Sequence, residues 1–335
     1  MRHYVIVGIL VIVAAILINF GLDSIGLMHV EASTQAASID WIWNWEVVVM
    51  SFLFSLIIVP MFYSFIVFRR KQGDTSDGEH MEGNTNLEVT WTVLPLCLVI
   101  VFAYMGAKSL GDIRHVDPTA MVIKVHARQF TWTFEYPDYG IFSTELHLPV
   151  DKQVLLLMDS QDVIHSFWVP EFRVKQDVVP GRLTEYRITP DRVGQYKVRC
   201  AELCGTSHYF MEKPVIVSVR ADFDTWLGEQ KLISDELAKT PEGQGQLLTV
   251  RNGCTGCHSI TSTPLQQAPT WFALFASKVE LADGRTVIAD DAYLTESIKT
   301  PKAKEVKGYS PSTMPQYSLT DEQIANIIAY IKTLK

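Results

Sequence analysis

The sequence predicts a membrane-anchored protein of three parts: apolar helices, then an antiparallel β-sandwich or barrel, then a small helical unit. Three observations predict this order. Apolar runs crowd the first 107 of the 335 residues. Short segments rich in β-branched and aromatic residues follow, with Pro, Gly and Asp between them. The remainder of the chain returns to helical patterns, and the total length allows two or three domains.

The membrane part is marked by the run EVVVMSFLFSLIIVPMFYSFIVF at 46–68, which is almost wholly apolar. As a helix it would span about 34 Å, enough to cross a bilayer core of about 30 Å. A second apolar run, 89–107, follows a polar loop, so residues 41–107 are predicted to form a two-helix hairpin. The basic cluster RRK at 69–71 places that loop in the cytoplasm, and everything after the hairpin then lies outside.

Residues 1–40 form a separate N-terminal segment that begins MRHYVIVGILVIVAAILINFG. We interpret it as an additional membrane helix at about residues 4–21, with its start inside. The same pattern of a basic residue before an apolar stretch resembles a signal peptide, for which VEASTQAAS would be the cleavage region.

The outer part begins with strand-like text over residues 108–220. Segments such as MVIKVHARQFTWTFEY, QVLLLMDS and GQYKVRC show partial alternation of apolar and polar residues. Their spacing predicts an antiparallel sandwich or barrel. This region carries 14 basic and 14 acidic residues. No segment of the chain has the basic excess that binding of nucleic acid requires.

Two further segments complete the chain. Residues 221–240 are polar and acidic, which predicts a linker that is helical in part. Residues 241–335 form the third unit, with helical text near Gly243–Arg251 and a final amphipathic helix, LTDEQIANIIAYIKTL.

The stretch CAELCGTSHYFM at 200–211 contains two cysteines, a histidine and a methionine. A disulfide between Cys200 and Cys204 is one interpretation, because the outer compartment is oxidising. A loop this short closes only with strain, however, and a disulfide leaves His208 and Met211 unexplained. Thiolate, imidazole and thioether together suit copper. Two thiolates, with room for a second histidine, suggest two copper ions bridged by both sulfurs. Cys97, in a membrane helix, is predicted to be inert packing.

The second histidine cannot be chosen by spacing. Four histidines after the membrane hairpin precede the cysteines: His115, His126, His147 and His165. His165 sits in the apolar text VIHSFWVP, where a lone imidazole would need a partner.

The last unit contains CTGCH, Cys254 to His258, which is the Cys-x-x-Cys-His signature of covalent haem c. Two thioethers would fix the porphyrin through Cys254 and Cys257, and His258 would ligate the iron. A zinc knuckle would need two further ligands, and no His or Cys follows His258. Met314 is the only Met or His after His258, so it is predicted to be the sixth iron ligand.

The stretch CAELCGTSHYFM resembles the binuclear copper motif of cytochrome c oxidase subunit II, Cys-x-Glu-x-Cys-Gly-x-x-His-x-x-Met. NLEVTWTVLP at 86–95 resembles the start of that family's second membrane helix, and DVIHSFWVPEFRVKQDVVPGR at 162–182 resembles its first copper-ligand segment. The resemblance covers about residues 40–220 and implies an all-β, cupredoxin-like sandwich. By match of position it implies these copper ligands: His165, Cys200, Cys204, His208 and Met211. Glu202 would coordinate copper through its backbone carbonyl, and its carboxylate would reach a magnesium site at the border with subunit I.

The whole chain resembles the bacterial, caa-type form of this subunit, with an all-α class I cytochrome c domain fused at its C-terminus. This implies that electrons pass from haem c to the copper pair and on to subunit I, which reduces oxygen to water with proton translocation. The implied partners are subunits I and III, membrane lipid, and a soluble or membrane cytochrome or an upstream respiratory complex as donor. The implied location is the bacterial cell membrane, with several membrane passes and both redox domains on the outer, periplasmic or extracellular, face.

Two other interpretations compete with the oxidase. One is a subunit of a copper-containing nitric oxide reductase, and the other is a membrane-anchored electron shuttle without a dedicated oxidase. A quinol oxidase subunit is disfavoured, because those homologues lack the copper ligands that this chain retains.

Two further site residues come from the resemblance. Glu88 lies three residues before Trp91, where the family has the entrance of the proton path into subunit I; TNLE at 85–88 also fits a capping box at the helix start. The family pattern Gln-Trp-x-Trp reads QFTWTF here, so Phe130 takes the first tryptophan position while Trp132 remains. In the family that first tryptophan accepts the electron of a separate cytochrome c. We therefore predict that the fused haem is the electron port and docks near Phe130.

Overall fold

The computed structural model describes residues 1–78, 80–309 and 314–335. The chain divides into two compact units. The first, the membrane unit, contains residues 1–31 and 35–115, and the second, the outer unit, contains residues 32–34 and 116–335.

Three helices of the described chain are long and apolar enough to cross a membrane: α1 (Arg2–Ile25), α2 (Thr34–Val67) and α3 (Thr85–Ile113). Their most apolar 18-residue windows have mean hydropathies of 2.9, 2.2 and 2.0. Most of their large apolar side chains are exposed, as expected for surfaces that face lipid. Each helix extends beyond the predicted apolar run, because hydropathy identifies only the part that hydrocarbon must cover.

The start of α3 differs from the predicted capping box by one residue. The cap is Asn84, not Thr85, and its side-chain oxygen accepts a hydrogen bond from the backbone N–H of Leu87 at 3.1 Å. The Glu88 carboxylate accepts from the backbone N–H of Asn84 at 3.4 Å. Glu88 thus still contributes to the helix start, although Asn supplies the shorter bond.

The first part of the outer unit is a sandwich of two five-stranded sheets. The strands are β1 (Met121–Arg128), β2 (Thr131–Tyr136), β3 (Ile141–Ser143), β4 (Leu146–Pro149), β5 (Val154–Ser160), β6 (His165–Val169), β7 (Val174–Val178), β8 (Thr184–Ile188), β9 (Gly194–Cys200) and β10 (Glu212–Ser218). The sheet orders are β3-β2-β1-β5-β8 and β4-β10-β9-β6-β7. The prediction of a purely antiparallel sandwich is wrong in two places, because β1 pairs with β5 and β4 with β10 in parallel.

Alternate residues of the strands fill the space between the sheets. In β1 the residues Ile123, Val125 and Ala127 are buried, and their neighbours along the strand are partly exposed. The same period of two runs through β5. Because successive side chains of a strand point to opposite faces, this pattern fixes the register of each strand against the core.

The predicted linker is a continuous helix, α4 (Arg220–Leu237), packed against the sandwich. Phe223 and Leu227 are buried in the sandwich core. Trp226 stacks on His147, with ring centroids 3.9 Å apart and planes at 8°, and meets the edge of Tyr136 at 5.1 Å. Burying an aromatic or aliphatic side chain contributes roughly 1.5–3 kcal/mol each, so the acidic segment is an ordered connection.

The rest of the outer unit, residues 241–335, is called the haem unit after its predicted haem motif. Its described residues include three α-helices and a hairpin: α5 (Pro241–Arg251), α6 (Asp291–Lys299), α7 (Asp321–Thr333), β11 (Lys278–Glu280) and β12 (Thr286–Ile288). Helices α5 and α7 meet at Gly245, where an added Cβ would lie 1.9 Å from the Asn326 carbonyl oxygen. The prediction of an all-α unit overlooked the hairpin, which turns at Gly284 with φ +84°.

We expect Trp226→Ala to loosen α4 from the sandwich. Loss of the stacked indole should lower the free energy of local unfolding of α4 by about 2 kcal/mol. Its amide hydrogens should then exchange roughly 30-fold faster. The measurement is amide exchange across residues 220–237 by mass spectrometry. Leu232→Ala is the matched control, because Leu232 lies on the same helix and is 68% exposed. Equal exchange in the two variants would show that Trp226 does not hold α4.

Candidate metal centres

Two neighbouring strands bring the first predicted ligands together. His165 is the first residue of β6, and Cys200 is the last residue of β9. The strands are antiparallel neighbours with Phe167 opposite Cys200. The pairing therefore places His165 beside Cys200, although the two residues lie far apart in the sequence.

The loop after β9 gathers the other predicted donors around these two residues. The Cys200 and Cys204 sulfurs lie 3.8 Å apart, far beyond the disulfide length of about 2.05 Å. His165 Nδ1 lies 3.8 Å from the Cys200 sulfur. His208 Nδ1 and Met211 Sδ lie 3.5 and 3.8 Å from the Cys204 sulfur. Metal–sulfur bonds are about 2.3 Å long, so both thiols can reach one ion.

The backbone of Glu202 also faces this cluster. Its carbonyl oxygen lies 3.2 Å from the Cys200 sulfur, while its side chain is exposed. Among the described residues, His165, Cys200 and Cys204 form the one group of three potential metal ligands whose donor atoms all lie within 4.8 Å. All three are buried.

The other histidines before the cysteines have different surroundings. His126 is held between Glu135, at 3.0 Å, and Asp159, at 2.7 Å. His147 stacks against α4, and His115 belongs to the membrane unit. The fold thus gives His126 and His147 partners other than the thiols, which spacing alone could not show.

The contact between the two thiols shifts their pKa values in opposite directions. The contact with Cys204 lowers the pKa of Cys200 to about 3, and the same contact raises the pKa of Cys204. One thiolate therefore forms easily, because the neighbouring thiol donates a hydrogen bond to it. A thiolate is the form of cysteine that binds metal ions.

Asp162 orients His165, and the sequence reasoning overlooked it. The His165 Nε2–H donates to Asp162 Oδ1 at 2.8 Å, which leaves Nδ1 facing Cys200. Burial lowers the pKa of His165, but its bonds to Asp162 and Cys200 outweigh this and raise the pKa. The only signal in the sequence is the acid three residues before the histidine in DVIH. A carboxylate on the distal ring nitrogen is the usual support of a metal-binding histidine.

The residues predicted to form the second centre also lie close together. Nδ1–H of His258 donates to the Pro269 carbonyl oxygen at 2.8 Å, so Nε2 is the nitrogen available to a metal. Burial lowers the pKa of His258, which favours the neutral imidazole that binds iron. Trp271 stacks on the same ring at 4.8 Å. Cys254 and Cys257 form no disulfide with each other.

A cavity of about 400 Å³ lies against His258 and Met314, with walls that include Trp271 and Leu294. A smaller adjacent cavity of about 40 Å³ is lined by His258, Met314 and both cysteines of the motif. Two thiols, a neutral imidazole and a thioether on apolar walls fit the chemistry of haem c.

The turn between β1 and β2 contacts both centres. The Phe130 ring packs against Gly205, which lies in the loop between β9 and β10, here called the copper loop. A Cβ added to Gly205 would lie 3.0 Å from two carbons of the Phe130 ring. The backbone of Phe130 faces the Cys257 thiol and favours its ionised form, although burial outweighs this and raises the pKa of Cys257. A Cβ added at Gly256 would lie 2.5 Å from Cβ and Oγ1 of Thr131. The CTGCH turn therefore packs directly on the sandwich of β1 to β10, which carries the predicted copper ligands and is called the copper domain below.

Trp132 lies deeper, fully buried in the sandwich. Its ring meets His165 edge-on, with centroids 6.1 Å apart. Its indole N–H donates to the Met211 carbonyl oxygen at 3.3 Å. Trp132 thus contacts two of the predicted copper ligands from inside the core.

Three sequence families match consecutive parts of the chain. The transmembrane domain of cytochrome c oxidase subunit II matches residues 22–108, and its periplasmic domain matches residues 141–219. The cytochrome c family matches residues 243–335. Cytochrome c oxidase subunit 2 of Alkalihalophilus pseudofirmus is 31% identical over 309 residues, which cover 88% of each chain. The chain belongs to the cytochrome c oxidase subunit II family.

Other subunit II proteins are similar to parts of this chain. Cytochrome c oxidase subunit 2 of Thermostichus vulcanus is 35% identical over 262 residues, which cover 62% of this chain and 80% of the relative. The crystal structure of the periplasmic domain of subunit II from Bradyrhizobium japonicum shares 30% identity, covers 35% of this chain and 97% of that one, and has a TM-score of 0.33. The oxidase and cytochrome c families imply copper and haem c, and the matched periplasmic domain indicates that the sandwich lies on the outer face of the membrane.

Proposed function

We propose that this subunit II receives electrons at a covalent haem c and delivers them through a binuclear copper centre to subunit I of a respiratory terminal oxidase. The observation that carries the proposal is the convergence of the donor atoms around Cys200 and Cys204, together with direct packing of the CTGCH turn on the same domain. The matching families and relatives give no support to a nitric oxide reductase subunit or a free-standing shuttle.

The copper pair would be held by six residues. They are His165, Cys200, Glu202, Cys204, His208 and Met211. The 3.8 Å separation of the sulfurs supports this assignment, because two bridging thiolates must lie close without bonding to each other. Burial of Cys200 and Cys204 excludes water from the sulfurs. His165, fixed by Asp162, would keep its free nitrogen aimed at the metal.

The haem would be attached through Cys254 and Cys257, with His258 and Met314 as iron ligands. The bond from His258 to the Pro269 carbonyl supports this, because it fixes the imidazole in the required tautomer. When bound, copper and haem c supply reversible one-electron redox chemistry. The residues of this chain hold both groups, orient their ligands and shield them from water.

Phe130 would form the bridge between the two centres. Its ring touches Gly205 in the loop after β9 and its backbone faces Cys257, so it lies between the two motifs. It is 5% exposed and therefore closed to a separate cytochrome. External donors, a soluble or membrane cytochrome or an upstream complex, would reach the haem unit first. Trp132 would support the copper side from the core.

The subunit is anchored in the bacterial cell membrane by its apolar helices and works with subunit I. We assign it three membrane passes and a further contact with subunit III. The exposed Glu202 carboxylate would reach a magnesium ion at the border with subunit I, and Glu88 would open the proton path on the cytoplasmic side.

We expect Cys200→Ser to abolish the mixed-valence copper signal. A hydroxyl is a poor ligand for copper compared with a thiolate, so the pair should not assemble. Haem c should still be reduced by an external donor but should not pass its electron on. Paramagnetic resonance and copper analysis of the purified oxidase are the measurements, with Cys97→Ser as control. An unchanged copper spectrum in Cys200→Ser would exclude the assignment.

We expect Gly256→Ala to separate the two domains locally. The new methyl would clash with Thr131, and we expect transfer from haem to copper to slow by roughly tenfold or more. Flash or stopped-flow kinetics on the intact oxidase measure this rate. Gly228→Ala is the control, because a Cβ added at Gly228 has no neighbouring atom within 4 Å. Thr131→Gly should restore the rate in the double variant. A wild-type rate in Gly256→Ala with haem incorporated would contradict the proposed route.

We expect Glu88→Gln to slow steady-state oxygen consumption while copper and haem content stay normal. Glutamine keeps an oxygen that can accept from the Asn84 N–H but has no titrating carboxyl. Glu82→Gln, an exposed position in the preceding loop, is the control. Turnover at the wild-type level in Glu88→Gln would exclude the proton role and leave Glu88 with a role in helix capping alone.

A further inference from the structure

A charged side chain of the copper domain reaches into the haem unit. Arg128 is the last residue of β1, and its guanidinium lies 4.4 Å from the centroid of the Tyr317 ring. Its Nη2 donates to the Gln161 side-chain oxygen. Tyr317 follows Met314 by three residues, and its hydroxyl donates to the Asn252 carbonyl oxygen at 3.2 Å. The pair thus connects the sandwich to the segment of the predicted methionine ligand.

Arg128 also lines the smaller cavity of the haem site, together with Cys254, Cys257 and His258. Its Nη1 is buried and has no hydrogen-bond partner among the residues that the structure describes. A buried N–H of a cation without an acceptor is costly. The Tyr317 ring face offsets only part of that cost, since a cation–π contact contributes about 0.5–2 kcal/mol. A negatively charged group in the smaller cavity would therefore be stabilised by the Arg128 guanidinium.

We propose that Arg128 is a positioning residue that the copper domain supplies to the haem site, where it raises the reduction potential of the haem. The proposal rests on the proposed haem site and assigns it a residue from outside the cytochrome c sequence. Reduction adds one negative charge to the haem, and a nearby cation stabilises that charge; Arg128 is half-exposed, but its Nη1 is buried on the side of the cavity. The effect is strong where water is excluded, because the local dielectric constant is low. Docking of the two domains therefore also sets the potential of the donor haem.

Arg128→Gln tests the proposal, because it removes the charge and keeps a polar side chain. We expect the reduction equilibrium of the haem to shift about tenfold toward the oxidised form, which corresponds to about 59 mV for one electron. Arg128→Lys should keep the potential near the wild-type value, since the charge remains. The measurement is a redox titration of haem absorbance in the purified oxidase complex.

Arg251→Gln is the matched control. Arg251 of the haem unit lies 5.4 Å over the Phe142 ring of the copper domain, so it makes the same kind of contact between the domains. It does not line either haem cavity. We expect its removal to leave the haem potential unchanged, which separates the charge effect from a loss of domain contact.

A wild-type potential in Arg128→Gln would overturn the proposal. So would equal shifts in Arg128→Gln and Arg251→Gln. If Arg128→Gln fails to incorporate haem, Tyr317→Leu replaces it: loss of the ring that holds the guanidinium should lower the potential in the same direction, and no shift there would also overturn the proposal. Absence of covalent haem in the wild-type chain would instead refute the proposed function.

Discussion

The outer unit depends on the close approach between the CTGCH turn and the turn that joins β1 to β2. Gly256 meets Thr131 with no room for a Cβ, and Gly205 meets the Phe130 ring in the same way. Phe130 is therefore enclosed by both predicted metal centres. Because each contact joins a glycine backbone to a short or rigid side chain, the separation of the two motifs is set with little freedom. A redox chain within one protein needs such a fixed distance.

The helical linker makes this contact persistent. A flexible tether would give the haem unit a high effective concentration, but each docking event would still cost ordering entropy. In this chain α4 is itself packed on the sandwich through Phe223 and Trp226. Most of that entropy is lost when the protein folds. This explains how a domain with equal numbers of basic and acidic residues can receive electrons without long-range electrostatic steering.

The turn between β1 and β2 also belongs to the hydrogen-bond network of the copper site. Asp162, which orients His165, accepts a second bond from the backbone N–H of Gln129 at 2.7 Å. The Gln129 side chain donates to the Cys204 carbonyl oxygen at 2.5 Å. Movement of this turn would therefore disturb a predicted copper ligand. The ligand geometry and the contact with the haem unit are parts of one structure.

The sequence by itself determined the features that are local in the chain. Hydropathy located three apolar helices that are long enough to cross a membrane. CAELCGTSHYFM and CTGCH carried most predicted ligands within short segments, and strand-like text marked the sandwich. Spacing could not choose among the histidines; the family resemblance pointed to His165, and the tertiary structure places its ring beside the two thiols. Only the tertiary structure revealed the contacts of Asp162 and Arg128. It also decided the parallel strand pairs and the docking of α4. These features depend on contacts between residues distant in sequence, and neither composition nor periodicity encodes which strand will lie beside which.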